Sequence, residues 1–377
     1  MNAIYDVIGY PFGLLMKLIF GIFNNYAVSI IVFTVVTKLL LLPVNYKTQK
    51  NAARMQLLTP KLDKLRKSYS NNPQRLQQEQ QKLYVEEGIN PMGSCLPAFI
   101  QMFLLFGILD VVYKPIRHIL GFSKGVRREA AEIAGTSFKN LRCELKVMDA
   151  VKADPGSFIH LKGGEFVDKV RDFSENFTIF GANLGKTPSV HVDWTSRESV
   201  ILFFIPILAG LAQLISSVYS QIHQKKTNPN MQGGGCLIFM MYFMPLLSVW
   251  FAFQVPAGVG FYWIWSALLS FIITFCLNQY FTPERTVAIN EKEKEKARIY
   301  AEKHPEKKTF MQRMLEQQEL ANQQQNAAKN RKNNDKISRS ELKKADRDRI
   351  NEARRRMAEK YGDIYDESAN DNDNDED

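Results

Sequence analysis

The chain has 377 residues and a formal net charge of +10, from 49 Lys and Arg against 39 Asp and Glu. Its mean hydropathy of −0.23 matches a water-soluble protein, yet its apolar residues fall into long blocks, and roughly the last hundred residues are almost wholly polar. Cys95, Cys143, Cys236 and Cys276 form no CxxC pair or Cys/His ligand spacing, and HExxH, P-loop and GxSxG motifs are missing, so disulfide, zinc, nucleotide and hydrolase readings find no support and no cofactor is expected.

The first element falls in an outer N-terminal segment, residues 1–25. Its residues 11–23, PFGLLMKLIFGIF, are short for a span and contain Lys17, which predicts an interfacial amphipathic helix and not a cleaved signal. Five apolar blocks follow, and ~20 residues at 1.5 Å rise cross ~30 Å of hydrocarbon. They predict transmembrane helices over 26–44, 92–112, 200–221, 236–253 and 260–280. The charged insert 45–91 reads as a helical hairpin. Leu62, Leu65 and Tyr69 recur at helical spacing before the turn SNNP, Leu76, Leu83 and Tyr84 recur after it, and Gly88 stops the second helix. Residues 113–199 read as a long extracytoplasmic loop, and 222–235 and 254–259 as short links. The segment 281–377 reads as a basic tail with an acidic end, DESANDNDNDED, in which disorder is at least as well supported as helix.

Lys and Arg near the short loops orient the chain. The insert, Lys225 and Lys226, and the tail share one side of five spans, while the uncharged link 254–259 lies on the other. The hairpin and C-terminus are therefore expected in the cytoplasm and the N-terminus outside.

Lys38 stands inside the first span, where an ionised side chain costs about 2.5–3.5 kcal/mol at mid-bilayer. Thr34 and Thr37 share its face. The third span carries Gln213, Ser216, Ser217 and Ser220 on one stripe, the fifth carries Ser266, Ser270 and Thr274 beneath Tyr262 and Trp263, and the second adds Gln101. Ordinary helix packing explains any one serine, and snorkelling explains a lysine near an interface. As an ensemble, with Asp110 too far along the second span to pair with Lys38, they argue for a hydrated cavity open to the cytoplasm. Such a cavity serves either an insertase or a small-solute channel or transporter, but the chain has no visible internal repeat or acidic coupling residue. Methionines on the insert (Met55) and near the fourth span (Met231, Met240, Met241, Met244) suit varied apolar clients.

The stretches VFTVVTKLLLLPVNYKTQKNAARMQLLTPKLDKLR, YVEEGINPMGSCLPAFIQMFLLFGIL, FIPILAGLAQLISS and MMYFMPLLSVWFAFQVPAGVGFYWIWSALLSFIITFCLNQY occur in that order. They resemble the YidC-type membrane protein insertase family (the YidC/Oxa/Alb superfamily). The resemblance implies an all-α polytopic membrane protein with a five-transmembrane-helix insertase core, a cytoplasmic helical hairpin and a polar groove, in a short form without a large folded outer domain. The family's basic groove residue, usually arginine, falls on Lys38, its preceding threonine on Thr34, and its aromatic pair on Tyr262 and Trp263. Lysine keeps the charge but loses the planar fork of donors. Clients are expected to meet Lys38 together with Thr34, Thr37, Gln101, Gln213, Ser216, Ser217, Ser220, Tyr262, Trp263 and Ser266. The implied work is insertion and folding of integral membrane proteins, without enzymatic chemistry. Implied partners are nascent membrane-protein clients, the lipid bilayer, the ribosome through the basic tail, and the Sec translocon.

Overall fold

The computed structural model describes residues 2–89, 96–227, 235–304 and 310–361. The NPMGSC motif, Met231, part of the 222–235 link and the acidic C-terminal run lie outside the described residues, as do the side chains of Cys236, Met240, Met241 and Met244. The chain divides into two compact units, residues 1–303 and 304–377.

In the first unit, α1 (Asn2–Phe23) begins well before residue 11 and runs through Pro11. Met16, Ile19 and Phe20 are buried, while Leu14, Leu18 and Ile22 are exposed. A helix apolar on both faces buries one against protein and can present the other to lipid. Helix α2 (Tyr26–Leu40) is capped by Asn25, whose Oδ1 accepts from the Val28 N–H at 3.0 Å. It stops before Val44, and α3 (Leu42–Leu57) leaves at 54°. Pro43 accounts for the break, because it has no N–H for the Leu39 carbonyl and its ring crowds that carbonyl. A further helix, α3, thus covers the end of the expected span and the start of the insert, ahead of the two helices read as the hairpin.

The insert continues as α4 (Thr59–Ser68) and α5 (Pro73–Glu86). Asn72 Oδ1 caps α5 by accepting from the Arg75 N–H at 3.1 Å. Leu58, Leu62 and Ile89 form a small core with Met55, Leu83 and Tyr84 packed against it. Helix α6 (Leu96–Tyr113) packs against α1. The approach requires Gly107, where an added Cβ would lie 2.1 Å from the Phe12 ring.

Residues 114–196 are not an open loop. They form α7 (Pro115–His118), α8 (Lys124–Ile133), α9 (Cys143–Ala153), α10 (Glu165–Asn176) and a short antiparallel ladder, β1 (Thr178–Ile179) with β2 (Ala182–Asn183). Val151, Phe158, Phe166, Val170, Phe173 and Phe177 are buried here, in a core continuous with that of α1 and α2. Phe177 also meets Tyr26 of α2, with ring centroids 4.5 Å apart.

Helices α11 (Arg197–Thr227), α12 (Gly235–Ala252) and α13 (Ala257–Tyr280) complete the bundle. On α11, Leu202, Ile205, Ala209 and Ala212 are buried, whereas Phe204, Leu208, Leu211, Ile215, Val218 and Ile222 form an exposed apolar stripe. Among the described residues, α11 and α13 are each long and apolar enough to cross a membrane, and the bent pair α2–α3 makes a third candidate. The apolar helices α6 and α12 have 18 residues each, within the ~17–25 range for spans. The segment between α6 and α11 clips onto two helix starts. The N–H groups of Ala257 and Gly258 donate to the carbonyls of Lys186 and Leu184 at 2.9 and 2.8 Å, pairing donors that a helix start otherwise leaves open. Glu198 of α11 accepts from the Asn183 N–H at 3.1 Å and from Lys186 Nζ at 2.7 Å.

Helix α14 (Pro283–Lys303) packs on α3. Arg54 Nε donates to Asn290 Oδ1 at 2.8 Å, and Lys50 pairs with Glu293 at 3.3 Å. Arg54 Nη2 also donates to the Glu87 carbonyl at 2.9 Å. The Glu87 carboxylate joins Lys61, at 2.6 Å, to Lys294 of α14. Burial pushes this carboxyl up, but the Lys294 and Lys61 ammoniums more than offset that and hold it below its ordinary value. In the second unit α15 spans Phe310–Tyr361. Helix thus occupies much of a tail whose composition pointed equally to disorder. Its Glu, Lys, Arg and Gln are good helix formers, and Arg356 pairs with Glu352 one turn earlier at 2.7 Å.

Candidate functional site

The last turn of α2 points Lys38 between α6 and α13. It is 6% exposed. Its Nζ donates to Ser270 Oγ at 2.7 Å and to Gln101 Oε1 at 3.3 Å. Among the described residues no carboxylate lies within ion-pairing distance of it; Asp110 pairs instead with Lys114 at 2.5 Å and His118 at 2.7 Å. An ammonium has three N–H donors, so two neutral acceptors leave one.

Lys38 forms part of the wall of a cavity of about 920 Å³ between α2, α3, α6, α11, α12 and α13, and is the only charged residue in that wall among the described residues. Gln101, Gln213, Ser216, Trp263 and Ser266 line it too, with Ser270 and Thr274 below Ser266 on α13. Residues 266, 270 and 274 follow at i, i+4 and i+8, which places them on one helix face. The wall near α3 is polar, from Asn45, Thr48 and Gln49, and the wall near Leu109, Phe251 and Val255 is apolar.

Five of the residues read from the sequence do not line this cavity. Thr34 and Thr37 are buried, and their hydroxyls donate back to the carbonyls of Ile30 and Phe33 at 2.6 and 2.8 Å. That local bond is open to any helical threonine, so a shared face with Lys38 does not oblige them to meet a guest. Ser220 does the same with the Ser216 carbonyl at 2.9 Å, and Ser217 lies off the cavity wall. Tyr262 is fully buried; its hydroxyl lies beside Ser266 and Gln101 without a well-formed hydrogen bond. Successive helix residues differ by ~100°, so Trp263 reaches the cavity and Tyr262 does not. Sequence reasoning missed Asn45, Thr48, Gln49, Ser248 and Asn278. Gln49 Nε2 donates to Asn278 Oδ1, and Asn278 Nδ2 donates to the Tyr219 hydroxyl at 3.4 Å. The spacing 45, 48, 49 was the available signal.

The helices and the charged cavity among them define a multi-pass, all-α membrane protein, in which the strands among the described residues are those of the short β1–β2 ladder. The family model described as "60Kd inner membrane protein" matches residues 18–284, and the chain belongs to that family. Its relatives include the membrane protein insertase YidC of Treponema denticola, 26% identical over 265 residues, covering 70% of this chain and 36% of the relative. The protein of the same name from Chloroherpeton thalassium is 28% identical over 284 residues, covering 74% and 38%. That from Clostridium tetani is 44% identical over 116 residues, covering 30% and 52%. The chain thus spans roughly a third to a half of the length of these curated relatives.

Proposed function

We propose that this protein is a membrane protein insertase and chaperone that works through the Lys38 cavity. The family and the relatives' names support this reading, and one observation carries the mechanism: Lys38 is nearly buried and held by neutral acceptors alone. Desolvating an ammonium costs several kcal/mol, while hydrogen bonds to a charged group return about 1.5–3 kcal/mol each. Water in the cavity, or an anionic guest, supplies the rest. A client's polar segment, above all an acidic one, is stabilised part-way across the bilayer, and burial of its apolar helix in lipid drives completion. No covalent step or cofactor is involved.

In this reading five helices span the membrane: α2 with the α3 bend, α6, α11, α12 and α13. The α4–α5 hairpin and the C-terminus face the cytoplasm, the N-terminus lies outside, and the cavity opens toward α3. The hairpin receives nascent clients, the basic tail approaches the ribosome, and the Sec translocon is a further partner. Photo-crosslinkers at Gln213 and Trp263 should capture a stalled nascent membrane protein, and one at Ile22, 76% exposed on α1, should not. Equal capture at all three, or none, contradicts the proposal. Saturable solute flux through liposomes without a client would favour a channel or transporter.

A further inference from the structure

Two aromatic side chains in the segment between α6 and α11 stand out from the protein surface. The first is at the tip of the β1–β2 ladder. Ile179 pairs with Ala182, so Phe180 and Gly181 make the whole turn. Both have positive φ, 49° and 87°. Two-residue turns of this kind normally carry a pair such as Asn-Gly, because a bulky side chain is strained at positive φ. Phe180 holds the strained position and is also 75% exposed. A Cβ added at Gly181 would meet nothing within 4 Å, so the tip projects into open space. The protein leaves most of this ring uncovered, and what offsets the strain therefore lies outside it.

The second is Trp194, 70% exposed. Its turn is pinned. Asp193 Oδ1 accepts from the Thr195 N–H at 3.0 Å and from the Thr195 hydroxyl at 2.6 Å, and the Asp193 N–H donates to Ser199 Oγ at 3.0 Å. These bonds tie the turn to the start of α11 and keep the indole outward.

Position names the partner. Glu198 of α11 holds both Asn183 of the ladder and Lys186, so the ladder and the Trp194 turn border the same first turn of α11. The Trp194 ring meets Phe203 edge-on, with centroids 6.4 Å apart, and Phe203 meets Phe204 at 5.7 Å and Phe253 at 5.9 Å. Phe204 opens the exposed apolar stripe of α11, the face that a membrane-crossing α11 turns to lipid. Trp194 thus continues the lipid-facing surface at its polar margin, between exposed Arg197 and the apolar run from Val200. An indole has an apolar body and one N–H, which suits it to the boundary between headgroups and hydrocarbon. We infer that Phe180 and Trp194 dock the segment between α6 and α11 onto the bilayer surface at that boundary, so that it lies along the membrane and does not project from it. The inference rests on α11 crossing the membrane and not on the Lys38 mechanism.

The test uses full-length protein in nanodiscs of phosphatidylcholine brominated either near the headgroup or near the chain ends, since bromine quenches tryptophan emission on contact. Wild type minus Trp194→Phe isolates the Trp194 emission. Phe180→Trp minus wild type places a second reporter at the ladder tip, and Asp172→Trp, at an exposed position on α10, is the control. All three substitutions are at exposed positions, so each variant should fold as wild type does. The expected result is a loss of emission at 194 and at 180 in brominated discs, larger with bromine near the headgroup than near the chain ends, and little loss at 172. Absence of quenching at either 180 or 194, or equal quenching at 172, overturns the inference. Blue-shifted emission that bromine does not quench would mean a protein neighbour, such as a second copy of this chain, and overturns it as well.

Discussion

Glu87 holds α14 to the base of the α4–α5 hairpin, and Glu87→Gln should loosen that junction selectively. The Glu87 side chain is 6% exposed, but its partners Lys61 and Lys294 are 56% and 40% exposed. A hydrogen bond to a charged group is worth ~1.5–3 kcal/mol when shielded, and an exposed ion pair ~0–1 kcal/mol. With one end of each pair in water, about 1 kcal/mol per contact is reasonable. Gln keeps an acceptor for one lysine, so the loss should be ~1–2 kcal/mol, a roughly five- to thirtyfold rise in local opening. Hydrogen exchange over residues 283–303 reads this directly. The pH dependence follows from the depressed carboxyl. Its contribution is fully present above the unfolded value of 4.5 and is lost as pH falls through the lower folded value. Glu87→Gln should show a smaller acid loss, the remainder coming from Glu293, which Lys50 holds low against its own burial. Unchanged exchange in α14, or a loss spread evenly over the bundle, would refute the junction.

Two further substitutions probe the packing. Gly107→Leu drives a side chain into the Phe12 ring and should cost ~1–3 kcal/mol as overpacking, lowering the thermal midpoint, with partial rescue by Phe12→Ala. Leu211→Lys places an ammonium on the exposed apolar stripe of α11 and should impair membrane assembly by ~2.5–3.5 kcal/mol. Gln213→Lys, on the cavity wall, should be tolerated; quantifying membrane-integrated protein after expression compares the two.

Much of this architecture could be read from particular residues. Pro73 and Gly88 bracket α5, Asn25 caps α2, and the polar stripes placed Gln101, Gln213, Ser216 and Ser266 around Lys38. What could not be read has physical causes. Helical periodicity gives a residue's direction but not whether its polar group is already satisfied, so Thr34 and Thr37 passed for cavity residues while bonding their own backbone. Asn45, Thr48 and Gln49 lie beyond the Pro43 bend, where polar residues look like ordinary surface; only the redirected axis of α3 brings them to the cavity. The buried face of the segment between α6 and α11 was hidden by its charges, although Phe166, Val170, Phe173 and Phe177 recur at i, i+4, i+7 and i+11. That pattern marks a buried helix face.

The central claim is that the Lys38 charge draws a client's polar segment into the cavity. It is tested by following insertion of a short single-span client, with an acidic or a neutral translocated segment, in cells depleted of their own insertase and complemented with Lys38, Lys38→Ala or Lys38→Glu. The account predicts that Lys38→Ala slows the acidic client more than the neutral one, and that Lys38→Glu blocks the acidic client while a client with basic residues in that segment recovers. If both variants insert every client at the wild-type rate, the charge has no part in insertion and that mechanism is wrong.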